Sequence, residues 1–331
     1  MKVTLEDIAE KTNVSKMTVS RVINETGNVA EETRKKIEKA IEEMDYQPNQ
    51  VARNLSVKKT YTIGVIIPKE EKIFLDNYIA QVLSGVNEVG KKNGYKILLL
   101  PIEEENFNYA KYIKNKTVDG LVLIKMEKGD KGLEKIANTP LPYVLVNFRD
   151  TNDRFNYVDT NNIEGAKKGV EYLYQKGHSK IGFIAGEMSE TNSIDRLTGF
   201  KEAMQENDLE LNDNWVLHGH FSQKSAYNAM GKILDGEERP TAIFCSDDYM
   251  AIGAIERIKD EGYSVPEDFA VMGFDNIELA EYVTPSLTTI AQPMHELGKE
   301  ATQLVFDIIN DKKNIITNKI LPVELIERES A

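Results

Sequence analysis

The chain has a single cysteine, Cys245, among 331 residues. It can therefore close no intramolecular disulfide and build no cysteine-rich zinc site. Long apolar runs are also missing: none approaches the ~18 residues that suggest a membrane span. The opening MKVTLEDIAEK lacks the apolar stretch of a secretion signal. A reducing cytoplasm and no membrane partner are the resulting expectations. The nucleotide-binding signatures G-x-x-x-x-G-K-[ST] and G-x-G-x-x-G do not occur. The four histidines, His178, His218, His220 and His295, form no helical metal motif. His218 and His220 would share one strand face, as ordinary core or surface pairs do. No metal, cofactor or catalytic residue is expected, and no low-complexity stretch or short-period repeat is present.

Hydrophobic residues at 41% and charged residues at 29% suit a globular chain with a sizeable core. Its length allows about two or three domains. The net charge of −13 argues against nucleic acid until it is divided along the chain. Residues 1–60 carry 11 basic and 10 acidic side chains, and the remainder carries 30 and 44. An acidic body is repelled by phosphate, whereas a nearly neutral head with its cations on one face is not.

Residues 4–45 read as three short helices. Thr4 is an N-cap with Asp7 three residues on, the spacing of a capping box. Leu5, Ile8 and Ala9 follow at helical spacing, and Ser15 caps a second helix whose buried stripe is Val19, Val22 and Ile23. Its outer face carries Lys16, Met17, Ser20, Arg21 and Asn24. A third helix places Ile37, Ala40, Ile41 and Met44 on one side. Two short helices joined by a tight turn, the second with polar and basic residues outward, form a helix-turn-helix pattern. Such a helix fits the major groove, where hydroxyls and cations reach base edges and phosphates. A solvated helical bundle would read the same way over these residues alone. The next segment, YQPNQVARNL, offers Asn49 as the cap of a helix too short to be stable by itself. Leu55 has nothing nearby in sequence to bury it, which suits either a wedge between base steps in the minor groove or a plain linker.

From Tyr61 the pattern becomes strand–helix alternation. Buried parallel strands are expected at 62–68, 96–101, 120–124 and 143–147, then at 180–186, 241–246, 269–274 and 287–291. Two such series imply an α/β core of two doubly wound parallel-sheet subdomains, with a ligand cleft between them.

These stretches resemble one family throughout. VTLEDIAEKTNVSKMTVSRVIN, YQPNQVARNL and TIGVIIP are similar to the LacI/GalR family of bacterial transcription regulators. The likeness continues through VDGLVLI, GHSKIGFIAG, DRLTGFKEAM, AIFCSDDYMAIGAI, VPEDFAVMGFDN and TPSLTTIAQP. It implies an all-α head over 1–47, a hinge helix and linker over 48–60, and a type I periplasmic-binding-protein-like core over 61–331. Within the core, an N-subdomain would span about 61–160 and 292–319, and a C-subdomain about 161–291 and 320–331, with crossings near 159–162, 289–292 and 318–322. It also implies a homodimer on pseudo-palindromic double-stranded operator DNA, controlled by a small effector. The tetramer-forming leucine tail of some members is not matched in this sequence, so a dimer is the expectation.

Carried over by position, Ser15, Lys16 and Met17 match the base-reading start of the recognition helix. Thr4, Thr18, Ser20, Arg21 and Asn24 match its phosphate and base contacts. Leu55 matches the minor-groove leucine, with Asn49, Ala52 and Arg53 on the same hinge. Arg196, Phe221, Asp247 and Asp275 match effector contacts. Their chemistry fits: a guanidinium that forks onto hydroxyls, an aromatic face, and carboxylates at strand ends. Asp247 or Asp248 could instead cap the following helix; the reading favours Asp247 for ligand and Asp248 for structure. Phe221 could be ordinary core, Asp275 a loop cap and Arg196 a surface ion pair. Asp76 and Tyr78, with Asn77, align loosely beside an apparent insertion at 69–75, and Asn147 and Arg149 are further candidates.

Purine-responsive members carry a basic residue where this chain has Glu190, so a purine is disfavoured. Catabolite regulators that bind a phosphorylated carrier protein have a basic helix where this chain carries Gln303 and Asp307. That alternative would set acid against phosphate. A sugar-responsive repressor of carbohydrate-utilisation genes is the expectation that remains. Whether its ligand releases or promotes DNA binding is left open, and so is the ligand's identity.

Overall fold

A computed structural model describes residues 3–24, 26–46, 59–67, 76–102, 109, 111–112, 115–137, 141–150, 152, 154–311 and 317–331. The chain divides into two compact units, Met1–Tyr61 and Thr62–Ala331.

In the first unit, α1 (Leu5–Thr12), α2 (Lys16–Ile23) and α3 (Glu31–Glu43) surround a small apolar centre. The capping box forms: the Thr4 hydroxyl accepts the Asp7 amide, and the Asp7 carboxylate accepts the Thr4 amide at 2.7 Å. Asn13 closes α1 in the left-handed region (φ 53), and Ser15 caps α2 by accepting the Thr18 amide at 3.1 Å. The tight turn between the two helices thus follows from the left-handed Asn13 backbone and the Ser15 cap. Ile8, Val19 and Ile37 are fully buried where the helices meet.

The second unit holds two six-stranded sheets. The first has the order β11-β5-β4-β3-β1-β2. Its strands are β1 (Thr62–Ile67), β2 (Lys96–Pro101), β3 (Gly120–Ile124), β4 (Tyr143–Val146), β5 (Tyr157–Thr160) and β11 (Asn318–Leu321). All of its pairings are parallel. The second has the order β12-β10-β9-β8-β6-β7. It comprises β6 (Ile181–Ala185), β7 (Val216–His218), β8 (Ala242–Cys245), β9 (Ala270–Asp275), β10 (Thr288–Ala291) and β12 (Glu324–Ile326). Here β12 runs antiparallel to β10, so this sheet is parallel except at one edge. The almost wholly apolar β1, β3, β6 and β8 are buried on both faces, as strands covered by helices on both sides must be.

Helices α4 (Asn77–Lys92) and α11 (Met294–Asp311) cover the first sheet; α6 (Asn162–Gln175), α7 (Thr191–Glu206), α8 (Gln223–Leu234) and α9 (Asp248–Asp260) belong to the second. Two shorter helices are α5 (Lys131–Ala137) and α10 (Leu279–Tyr282). The α4–α11 crossing is backbone on backbone. A Cβ on Gly85 would lie 2.0 Å from the His295 carbonyl, and one on Gly298 2.0 Å from that of Val82.

The chain passes between the sheets three times: after β5, after β10, and between β11 and β12. The third passage lies at 322–323, at the far end of the expected 318–322, because β11 continues its parallel register with β5 to Leu321. Every crossover adjoins the carboxyl end of a strand in the first or second sheet, which is where the cleft opens. Among the described residues no helix is long and apolar enough to cross a membrane.

Candidate functional site

The strand ends of both sheets surround a cavity of about 700 Å³. Asp76 and Tyr78 reach it from the start of α4, and Asn147 from the residue after β4. Opposite them stand Arg196 on α7, Phe221 beyond β7, Asp247 after β8 and Asp275 at the end of β9. The fold therefore brings all seven expected effector positions around one cavity, although they span two sheets and some two hundred residues of chain.

Arg196 is the centre of the arrangement. Its side chain is buried, with the guanidinium 3.8 Å from the centre of the Phe274 ring. Nε donates to Asn162 Oδ1 at 2.8 Å, Nη1 donates to the Ser246 carbonyl, and the same nitrogen lies 3.4 Å from Asp275 Oδ1. The surface ion pair is thus excluded. Asp275 also accepts from the Gln292 amide at 2.6 Å, while Gln292 Oε1 accepts from the Thr160 hydroxyl at 2.6 Å. Thr160 ends β5 and Gln292 follows β10, so this chain of bonds ties the cavity to two of the three crossovers.

Asp247 and Asp248 divide their work. Asp247 caps α9, accepting the Met250 amide at 2.6 Å, and also lines the cavity. Asp248 faces away, accepting from the Ile277 amide at 2.8 Å and the Thr289 hydroxyl at 2.5 Å. Asp76 likewise has two roles: one oxygen caps α4 and the other pairs with Lys125 Nζ at 2.6 Å. The Phe221 backbone sits in the left-handed region (φ 50). Its ring comes so close to Gly186 that a Cβ there would lie 2.2 Å from it. Asn147 Oδ1 and Tyr78 Oη are buried at the wall with no hydrogen-bond partner. Polar atoms in that condition cost about 1–3 kcal/mol each unless a ligand or water satisfies them.

Arg149 does not join this set. It pairs with Asp195 at 2.6 Å and lines a separate cavity of about 170 Å³. The turn after β4 points Asn147 and Arg149 in different directions. Lys125, Glu187, His220, Tyr249 and Gln292 line the main cavity without having been expected there. Lys125 follows β3 and Gln292 follows β10, so the strand-end rule alone would have found both. His218 and His220 do not share a strand face: β7 ends at His218, and His220 lies in a turn 2.8 Å from Glu187.

Burial governs the carboxyls here. Desolvation pushes Asp159 up to about 7, against hydrogen bonding from the Thr160 amide. Asp247 is pushed up to about 7 by desolvation and by the neighbouring Asp275 charge. Both are raised in the fold, so between 3.8 and about 7 the folded chain holds protons that the unfolded chain has released. Their contribution to stability is complete below 3.8 and is lost as pH rises through about 7. Thermal scans of the unliganded protein should show the Asp159→Asn variant losing part of that slope. Parallel slopes would contradict the burial argument.

In the head, Ser15, Lys16, Met17 and Arg21 are exposed, and Met17 is 65% exposed despite being apolar. Thr18, Ser20 and Asn24 are half-buried: Thr18 and Ser15 share a hydroxyl contact of 2.9 Å, and the Asn24 amide donates to Ser20 Oγ at 3.1 Å. Thr4 is committed to the capping box, and Lys16 is ion-paired with Glu6. The outward groups are therefore Ser15, Lys16, Met17 and Arg21. Asn49, Ala52, Arg53 and Leu55 lie outside the described residues, as does the 69–75 insertion.

Comparison with known proteins matches two parts of the chain. A family of bacterial regulatory proteins, the lacI family, matches residues 4–49, and a periplasmic binding protein-like domain matches residues 170–331. An HTH-type transcriptional repressor PurR from Pasteurella multocida (strain Pm70) is 37% identical, covering 99% of this chain and 98% of its own. Among solved structures, the lac repressor dimer bound to operator and the anti-inducer ONPF is 27% identical. That match covers 100% of this chain and 99% of that one, with a TM-score of 0.88. A complex of the transcriptional regulator CelR with cellobiose is 29% identical over 100% of both chains, with a TM-score of 0.78.

Proposed function

The chain belongs to the LacI/GalR family and is a helix-turn-helix transcriptional regulator, and we propose that a small sugar in its core cavity controls its grip on operator DNA. In this reading it acts in the cytoplasm as a homodimeric repressor of carbohydrate-utilisation genes on a pseudo-palindromic operator. Ser15, Lys16, Met17 and Arg21 read bases and phosphates from α2. Thr4, Thr18, Ser20 and Asn24 set the recognition helix on the backbone. The hinge residues Asn49, Ala52, Arg53 and Leu55 engage the minor groove.

One observation carries the effector assignment. The cavity presents a buried guanidinium, an aromatic ring, strand-end carboxylates and two buried polar atoms without partners, Asn147 Oδ1 and Tyr78 Oη. Sugar hydroxyls both donate and accept, so one polyol can satisfy carboxylates, a guanidinium and an amide oxygen together. Phe221 supplies a face for the apolar side of a sugar ring. The cellobiose in the CelR complex supports this choice, whereas the PurR relatives are not named for a sugar.

Control runs through the crossovers. A sugar that bonds to Arg196 and Asp275 competes with the Asp275–Gln292–Thr160 chain, which holds two of the strands joining the subdomains. Sugar and operator are then linked by a coupling free energy, typically about 1–3 kcal/mol. On α11, the Gln303 amide donates to Asp307 at 2.8 Å, so that helix offers acid where a phosphorylated carrier protein would need base.

The test is an electrophoretic shift with a palindrome from upstream of the protein's own gene, repeated with a carbohydrate panel and with purine bases. A carbohydrate that alters the shift supports the reading. A purine that alters it while no carbohydrate does would contradict it.

A further inference from the structure

The cavity is charged in a way that a neutral sugar does not answer. Resting on the saccharide reading, we infer that the ligand is an amino sugar with a free, protonated amine, which sits against Asp247. Six carboxylates face this space against two permanent cations, among the described residues. Both cations are already engaged, Lys125 by Asp76 at 2.6 Å and Arg196 by Asp275 at 3.4 Å. His220 stands against Glu187.

Asp247 lacks a direct cationic partner of this kind. It is 5% exposed, and its hydrogen bond is to the Met250 amide. The more distant Arg196 and Lys125 charges offset its burial only in part, which leaves its carboxyl at about 7. Glu127 and Glu190 add further negative charge around the same cavity.

The second observation is independent of charge. Asn147 is 2% exposed, lines the cavity, and has an Oδ1 that takes no donor. An ammonium offers three donors and no acceptor, so it suits an environment of carboxylate and amide oxygens. Its charge also relieves the desolvated Asp247, since an opposite charge nearby favours the ionised form. A hydroxyl in its place donates a bond without supplying charge. A phosphate or uronate adds like charge to a wall already in excess, and N-acetylation removes the cation. Cavity volume is no obstacle, since about 700 Å³ falls within the usual range for small-ligand sites.

The full-length protein should be titrated calorimetrically with matched sugars: glucose and glucosamine, galactose and galactosamine, cellobiose and its doubly aminated chitosan analogue. Each pair is run alongside its N-acetylated member, with glucose 6-phosphate as the anionic probe. In at least one pair the amine should bind about tenfold tighter or more, and acetylation should abolish the gain. Asp247→Asn still caps α9, because asparagine is a good N-cap. It should erase the difference between pair members while operator binding persists. Neutral or phosphorylated members binding as tightly as the amines in every pair would overturn the inference and leave the saccharide reading standing. A protein that shifts operator DNA but binds no saccharide would overturn both.

Discussion

Arg196→Ala is expected to abolish the effector response and to destabilise the core by about 3–5 kcal/mol, the usual cost of removing one partner from a buried ion pair. Arg196 is 1% exposed, and its guanidinium stacks on Phe274 and serves Asn162, the Ser246 carbonyl and Asp275 together. Alanine would leave these acceptors unsatisfied and Asp275 without its nearest cation. Loss of response in that variant alone could reflect loss of fold. Arg196→Lys separates the two effects: it keeps the charge but gives up the fork that reaches two acceptors at once. A smaller stability loss is expected in the lysine variant, with sugar affinity reduced about 10–100-fold and operator binding retained. Calorimetry with the sugar and an operator titration read these separately. An undiminished sugar response in both variants would remove Arg196 from the site.

Leu55→Ala is expected to weaken operator binding about 10–100-fold while leaving sugar binding and core stability unchanged. The reasoning is energetic. Opening a base step in the minor groove costs a few kcal/mol, and an apolar wedge recovers this by replacing the lost stacking. Alanine is too short to fill the step. Fluorescence anisotropy on labelled operator, beside a calorimetric sugar titration, checks both halves. Operator affinity equal to wild type would remove the wedge.

Much of the architecture was legible in the sequence because its determinants are local. Buried strands announce themselves as short apolar runs, and the head as two caps and a stripe; Thr4, Asp7 and Ser15 do in space what their spacing implied. The elements that escaped were those with mixed composition. β5 reads YVDT, β7 VLH and β11 NKIL; β11 is exposed along most of its length. Such edge and crossover strands are defined by their partners rather than by a period.

The cavity divides along the same line. Asp247 and Asp275 were readable because the carboxyl end of a strand is a predictable address, whereas Arg196, inside α7, was readable only through the DRLTGF motif around it. Lys125 shares that address but follows its motif by one residue, and Gln292 lies within the TPSLTTIAQP stretch without having been assigned a ligand role. The contrast between Asn147 and Arg149, two residues apart, depended on a turn whose side-chain directions no periodicity encodes. Asp76 and Asp247 show a further limit. A carboxylate can cap a helix and face a ligand at once, so cap and contact were never true alternatives.

The central claim is that one molecule joins a DNA-reading head to a sugar-reading core. Its most direct test is thermodynamic reciprocity: operator affinity is measured with and without saturating sugar, and sugar affinity with and without saturating operator. The account predicts the same factor in both directions, about 5–150-fold, whichever its sign. A sugar that fills the cavity yet leaves operator affinity unchanged would contradict it.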